Sequence, residues 1–220
     1  MARTSGTRAR LLDAGATLFR RQGYAGTGLK RIVDEGGAPR GSLYHFFPGG
    51  KEQLGAEAVA RSGAGFRRVL ESVLEGNDPA ASVRAMFDLS AAALEASDYR
   101  DGCPVATVAL EAASTSEPLR LACAAVFESW ADALEERLVR ARVDAGVARE
   151  LAVFGLAAFE GAIVLSRTAR TTRPLVVCGE AVSAVVAGVV AAGAPSAGAA
   201  SAPEPSGRRA SGHLASAQDR

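Results

Sequence analysis

The chain has 220 residues, 48% of them hydrophobic, and a formal net charge of +1, which is enough to bury a core in one or two domains. Its three cysteines (Cys103, Cys123 and Cys178) are far apart and lack CxxC or Cys/His spacing, which argues against a zinc site or a disulfide framework and for reduced thiols in the cytoplasm. The balanced charge hides a split: residues 1–51 carry nine basic and three acidic groups (+6), residues 52–193 carry 13 and 19 (−6), and residues 194–220 carry three and two (+1), so a basic head that meets a polyanion sits on an acidic body.

Residues 1–6 are polar, and no apolar stretch follows them to make a signal peptide. The first helix is predicted over residues 7–22, with Leu12, Gly15, Ala16 and Phe19 on one face and Gly23 as its stop. Thr27 is the expected N-cap of a second helix that runs to residue 35. Gly36 and Gly37 let the chain turn, and the fixed φ of Pro39 suits a first helical turn, so a third helix is predicted over residues 39–46. Pro48, Gly49 and Gly50 break it, and the fourth helix is predicted over residues 51–74 with Gly50 as a weak cap. Two short helices across a tight turn, with small and basic residues at the front of the second, form a helix-turn-helix. Leu29, Ile32, Val33, Leu43, Phe46 and Phe47 are its expected core.

Beyond the break at Gly76, Asn77, Asp78 and Pro79, every segment reads helical and none alternates with a period of two. Helices are predicted over residues 79–96, 104–114, 118–145, 148–169 and 174–192. The apolar run over residues 175–192 contains Gly179, Glu180 and Ser183, which marks a packed helix rather than a bilayer span. Ala157, Ala158, Gly161, Ala162, Ala184 and Gly188 allow close helix approach, and apolar character on several faces calls for a partner: a four-helix interface in a two-fold homodimer. Residues 194–220 are rich in Ala, Ser, Pro and Gly and are expected to be disordered.

The head carries a recognisable pattern. Residues 7–19, then Gly23, Tyr24, Thr27 and Ile32, and above all Gly41-Ser42-Leu43-Tyr44-His45-Phe46-Phe47-Pro48 followed by Lys51-Glu52-Gln53-Leu54, resemble the DNA-binding domain of TetR-family transcriptional regulators. The resemblance covers about the first quarter of the chain, and the Leu-Tyr-His-Phe cluster followed by Lys-Glu makes it specific. A weaker likeness, over residues 101–111, points to the LmrA/YxaF-like branch, whose members often control efflux genes. The family resemblance implies an all-α fold: a three-helix DNA-binding domain over residues 1–50, a helical ligand-binding and dimerisation domain over residues 51–193, and the tail.

It also implies DNA contacts from Thr27 and Lys51 at the starts of the second and fourth helices, where free N–H groups and the macrodipole attract phosphate. Arg40, Gly41 and Ser42 lie at the front of the recognition helix, and by family analogy Tyr44 and His45 meet the phosphate backbone. Arg3, Arg8 and Arg10 are candidates for the flanking backbone or minor groove. The chain departs from the family at Gly28, where serine is common, in the acidic pair Asp34-Glu35, and at Gly49-Gly50, which predicts a looser join to the body.

In the body, Phe87, Phe127, Trp130, Phe154 and Phe159 have core spacing. The resemblance implies a cavity among such residues, with Phe87, Cys103, Glu111, Phe127, Trp130 and Phe159 as its expected lining. Glu111 and Glu160 sit in apolar surroundings, where a carboxylate either orients a polar or cationic ligand or lies at a surface or dimer rim. Cys103 is either an oxidant sensor or an inert apolar group. There is no nucleophile–base pair, metal spacing or phosphate-cradling glycine motif, so neither enzymatic activity nor a cofactor is expected. The expected function is a cytoplasmic, ligand-released repressor that binds a near-palindromic duplex operator as a homodimer in response to a small-molecule effector, away from any membrane. An activator of the same fold and a helical carrier without a DNA role remain as alternatives.

Overall fold

The computed structural model describes residues 2–39 and 41–193, the first four by backbone alone. Arg3's side chain, Arg40 and the tail expected to be disordered lie outside the described residues. Among the described residues there are nine α-helices and no strand, in the order α1 (Ala2–Gln22), α2 (Leu29–Glu35), α3 (Ser42–Phe46), α4 (Gly50–Leu74), α5 (Pro79–Ala96), α6 (Pro104–Ala112), α7 (Glu117–Arg140), α8 (Ala145–Ala169) and α9 (Arg173–Gly193).

The head is built around α1, which is helical from Ala2 rather than from residue 7. Leu11, Leu18 and Phe19 are buried against Ile32, Val33 and Leu43. At Gly15 a Cβ would sit 2.9 Å from the Leu54 side chain, so the missing side chain lets α4 close on α1. The third helix is shorter than its apolar pattern implies. It starts at Ser42, with Gly41 as N-cap, rather than at Pro39, because the Pro39 carbonyl accepts both the Ser42 N–H (2.9 Å) and its hydroxyl (2.7 Å) in a turn that precedes the helix.

The join between head and body is tied rather than loose. Gly50 has φ +64°, a left-handed conformation that favours glycine. One residue earlier, the Gly49 N–H donates to Gln53 Oε1 at 2.9 Å, so a side chain within α4 closes the helix start. The apolar core runs through this join from Leu11 to Leu54, Leu119 and Trp130. A second cluster, with Phe87, Phe159, Leu175 and Val182, holds α5, α8 and α9 together.

Caps set the helix limits in the body. Asp78 and Ser116 accept backbone N–H groups at the starts of α5 and α7. Asp144 accepts from Gly146 and Val147, so α8 starts at Ala145, three residues before its predicted start. With Arg142 at φ 70°, α7 cannot run to residue 145 and stops at Arg140. The buried Arg137 guanidinium donates to the carbonyls of Leu74 (2.8 Å), Gly76 (2.7 Å) and Asn77 (3.0 Å), a cation that closes the C-terminal end of α4.

By length and a mean hydropathy of 2.2, α9 could cross a membrane. One face of it (Leu175, Gly179, Val182, Val186) packs into the protein, and Glu180, on the exposed side, pairs with Arg84 at 3.2 Å.

Candidate nucleic-acid interface and ligand cleft

The front of the head is α3 and the turn before it. Leu43 points inward while Gly41, Tyr44 and His45 are exposed, Tyr44 at 64%. Nothing lies within 4 Å of a Cβ built at Gly41, so the backbone at this helix start is open to a close approach. The His45 ring meets Phe46 edge-on at 5.0 Å, and the Tyr44 ring passes 3.8 Å from the Cβ position of Gly50. Tyr44 therefore stands beside the start of α4. The Lys51 ammonium lies 4.3 Å from the Tyr24 ring centroid. Burial lowers its pKa, and Glu111 partly offsets this.

Thr27 is a correction. Its side chain is fully enclosed (0% exposed), and its hydroxyl donates to the Gly23 carbonyl at 2.7 Å and accepts from Gln22 at 3.1 Å. Gly28 occupies the N-cap of α2 instead, with no side-chain cap bond. Thr27 thus shapes the turn between α1 and α2 from behind. Two arginines expected at the flank are braces as well. Arg8 pairs with Glu57 and stacks 5.2 Å from the Phe47 centroid. Arg10 Nε donates to the Gly36 carbonyl at 3.0 Å and so pins the turn between the two short helices. Gly41, Tyr44 and His45 are exposed, Ser42 and Lys51 are half-buried, and the acidic residues Asp34 and Glu35 are exposed on α2.

Behind the head lies a cleft of about 960 Å³ between α1, α4, α5 and α8. Cys103, Trp130 and Phe159 line it. Phe87 does not; it borders a separate apolar void of about 50 Å³ and meets Phe159 edge-on at 5.3 Å. Phe127 lies outside both linings and packs edge-on against Trp130 at 5.7 Å. Glu111 is also elsewhere: it is exposed, accepts the Ala25 N–H at 2.7 Å, and its Oε1 lies 2.0 Å from the Cβ position of Gly23, which has φ +81°. From α6 it latches the turn that Thr27 supports.

Glu160 lies outside the lining expected from the sequence, where its signal is a lone carboxylate in an apolar stretch. It lines the cleft with both oxygens enclosed and without a hydrogen-bond partner. Burial pushes its pKa up to about 7, offset in part by the neighbouring Cys103 thiol. Burial, and next the charge of Glu160, push the Cys103 thiol well above its ordinary value, so it stays protonated. Sequence spacing also missed Asp101, in the α5–α6 loop. Its carboxylate pairs with Arg20 (2.8 Å) and Arg21 (2.9 Å) at the end of α1, while Arg167 of α8 donates to the Arg21 carbonyl at 3.0 Å. No group of three or more His, Cys, Asp or Glu among the described residues is placed to hold a metal ion.

Comparison with known proteins adds to this geometry. Residues 11–58 match the family model for bacterial regulatory proteins of the tetR family, and residues 79–181 match the model for the C-terminal domain of LmrA/YxaF-like transcriptional regulators. The chain is 39% identical over 170 residues to the HTH-type transcriptional regulator LmrA of Bacillus subtilis (strain 168), covering 77% of this chain and 90% of that protein. It is 27% identical over 180 residues to the HTH-type transcriptional repressor DhaR of Mycobacterium sp. (strain GP1), covering 80% and 89%. The crystal structure of a TetR transcriptional regulator from Chloroflexus aurantiacus J-10-FL superposes with a TM-score of 0.71 at 27% identity, covering 85% of this chain and 97% of that one.

Proposed function

The chain belongs to the TetR family of bacterial transcriptional regulators, and from that premise we propose that it is a repressor that binds a near-palindromic operator as a two-fold dimer and leaves it when a small molecule occupies the cleft. The observation that carries this reading is the exposed front of α3, with Tyr44 beside the start of α4. Gly41 and Ser42 approach base edges together with Arg40, and Tyr44, His45 and Lys51 hold phosphates. Arg8 and Arg10 act indirectly, by keeping α2 and α3 in register with α1.

The dimer is supported by apolar side chains that α8 and α9 leave in water. Phe154 (50%), Val164, Leu165 (59%), Val177 and Val185 are exposed, and Gly161 and Gly188 face open space. Ala157 and Ala184 are exposed on the same helices, whereas Ala162 is already buried within the chain. A second copy would cover this surface and set two recognition helices about 34 Å apart, one turn of duplex DNA. Phe154→Asp should convert the dimer to monomer in sedimentation and abolish operator binding.

Release follows from where the cleft lies. Its walls come from α1 of the head and from α4, α5 and α8 of the body, so an occupant that favours one spacing of these helices shifts the population away from the DNA-competent form.

Fluorescence anisotropy on a duplex selected from DNA around the gene tests the interface. Tyr44→Ala and Lys51→Ala should each weaken binding about tenfold on every sequence, and Lys51→Ala, which removes one phosphate contact from each protomer of the dimer, should reduce the salt slope by about two. Ser42→Ala and Arg40→Ala should instead change which bases are preferred. If all four variants bind like the parent, α3 is not the reading head.

A further inference from the structure

We propose that the cleft is a site for lipophilic cations, meaning an aromatic or apolar body with a protonated amine whose N–H groups donate to Glu160. The proposal rests on the reading of the cleft as the effector site and names the chemistry of its ligand.

The unmatched group in the cleft is an acceptor. Both Glu160 oxygens are enclosed, neither makes a hydrogen bond of normal geometry, and the neighbouring Cys103 thiol is only a weak donor. A carboxylate taken out of water and left unpaired is costly, and a donor that also carries positive charge offsets the deficit best. The surroundings fit the rest of such a molecule. Glu160 follows Phe159 on α8, and Phe66, Trp130 and Ile163 line the same cleft. Phe66 and Trp130 pack with ring centroids 4.6 Å apart at 53°, and the Trp130 N–H is already committed to the Gly63 carbonyl at 2.9 Å, so these rings bring apolar surface rather than polar atoms to the cleft. The volume, about 960 Å³, lies at the upper end of the range for small-molecule sites, about 300–1,000 Å³.

The arginines of the cleft do not make it an anion site. Arg8 is paired with Glu57, Arg61 with Asp13 (2.6 Å) and Arg20 with Asp101 (2.8 Å). Arg68 is exposed. Of the acidic groups lining the cleft, Glu160 alone has no such ion pair among the described residues. Arg20 Nε is also enclosed and unpartnered, and it offers a donor to an oxygen elsewhere on the ligand.

Three near-isosteric probes separate charge from shape: tryptamine (cation), tryptophol (neutral alcohol) and indoleacetate (anion). Each is titrated against the full-length protein at about pH 8, where a carboxyl of pKa about 7 is ionised and the amine remains protonated. Binding is followed by ligand-observed NMR, and operator release by anisotropy in parallel. Tryptamine should bind at least about tenfold more tightly than tryptophol, with indoleacetate weakest. Glu160→Gln and Glu160→Leu should erase that order by weakening tryptamine alone. Both variants remove a buried, unpaired charge and should fold at least as well as the parent, which a thermal melt checks. If the parent shows no preference for tryptamine, or if the preference survives both substitutions, the proposal is overturned. If tryptamine binds through Glu160 without releasing DNA, the ligand class stands and the regulatory reading of the cleft fails. If tryptophol or indoleacetate releases DNA equally well and the substitutions change nothing, regulation stands and the cation class falls.

Discussion

On α3, Tyr44 and His45 project into water with their polar atoms free to meet a partner, whereas on α8 the Glu160 carboxylate is enclosed with no ion pair and only the Cys103 thiol beside it. The two regions use unsatisfied groups under opposite constraints. Water hydrates the front of the head at little cost, so it can wait for its partner indefinitely. The cleft leaves Glu160 desolvated, and that cost is carried by the rest of the fold until something binds. Around each site the supporting polar groups are tied down: Arg10, Thr27 and Gln53 in the head, Arg137 and Asp101 in the body.

The largest effect expected from this contrast is at Glu160. Its pKa is raised from an ordinary 4.5 to about 7. The folded protein therefore holds this proton where the unfolded chain has lost it. Stability should fall as pH rises between those two values, by about 3 kcal/mol once both states are ionised. Urea melts of the parent and Glu160→Gln should show the variant gaining that advantage from pH 4.5 to above pH 7. A stability difference that does not change with pH would show that the carboxylate is hydrated and the contrast with α3 is unfounded.

Next in size is the join between the regions. Gly50→Ala places a side chain at φ +64° with no close neighbour, since Tyr44 is 3.8 Å away. The cost is therefore backbone strain, about 1–2 kcal/mol in a thermal melt. A loss below about 0.5 kcal/mol would show that α4 can start elsewhere and that Gly50 does not fix its position beside Tyr44. The smallest effect belongs to the clasp between the regions. Asp101→Asn removes pairs with Arg20 and Arg21 that are 38% and 52% exposed, so urea unfolding should change by less than about 1 kcal/mol. A larger change would make the clasp a structural rivet.

How legible each region was follows from the range of the interactions involved. The order of the helices, the break between α3 and α4 marked by Pro48 and Gly49, and the inward residues Ile32, Val33 and Leu43 were readable because periodicity, glycine and proline act over a few residues. The start of α3 and the limits of α7 and α8 were displaced because Ser42 and Asp144 settle them through particular hydrogen bonds that a pattern of apolar residues does not encode. Thr27 looked like a cap by residue type, but the chain turns one residue later, and its hydroxyl serves the turn.

The linear chain on its own determined an all-helical protein with a basic reading head, because composition, charge and local periodicity are properties of neighbouring residues. Only the packed structure decided which side chains share a site. It sent Glu111 to the head, 86 residues from the backbone N–H it accepts, and kept Phe87 and Phe127 out of the cleft. It also brought Arg20, Asp101, Cys103 and Glu160 to one cleft. Contacts between residues so far apart depend on how whole helices cross, and that geometry is set by the core they jointly bury.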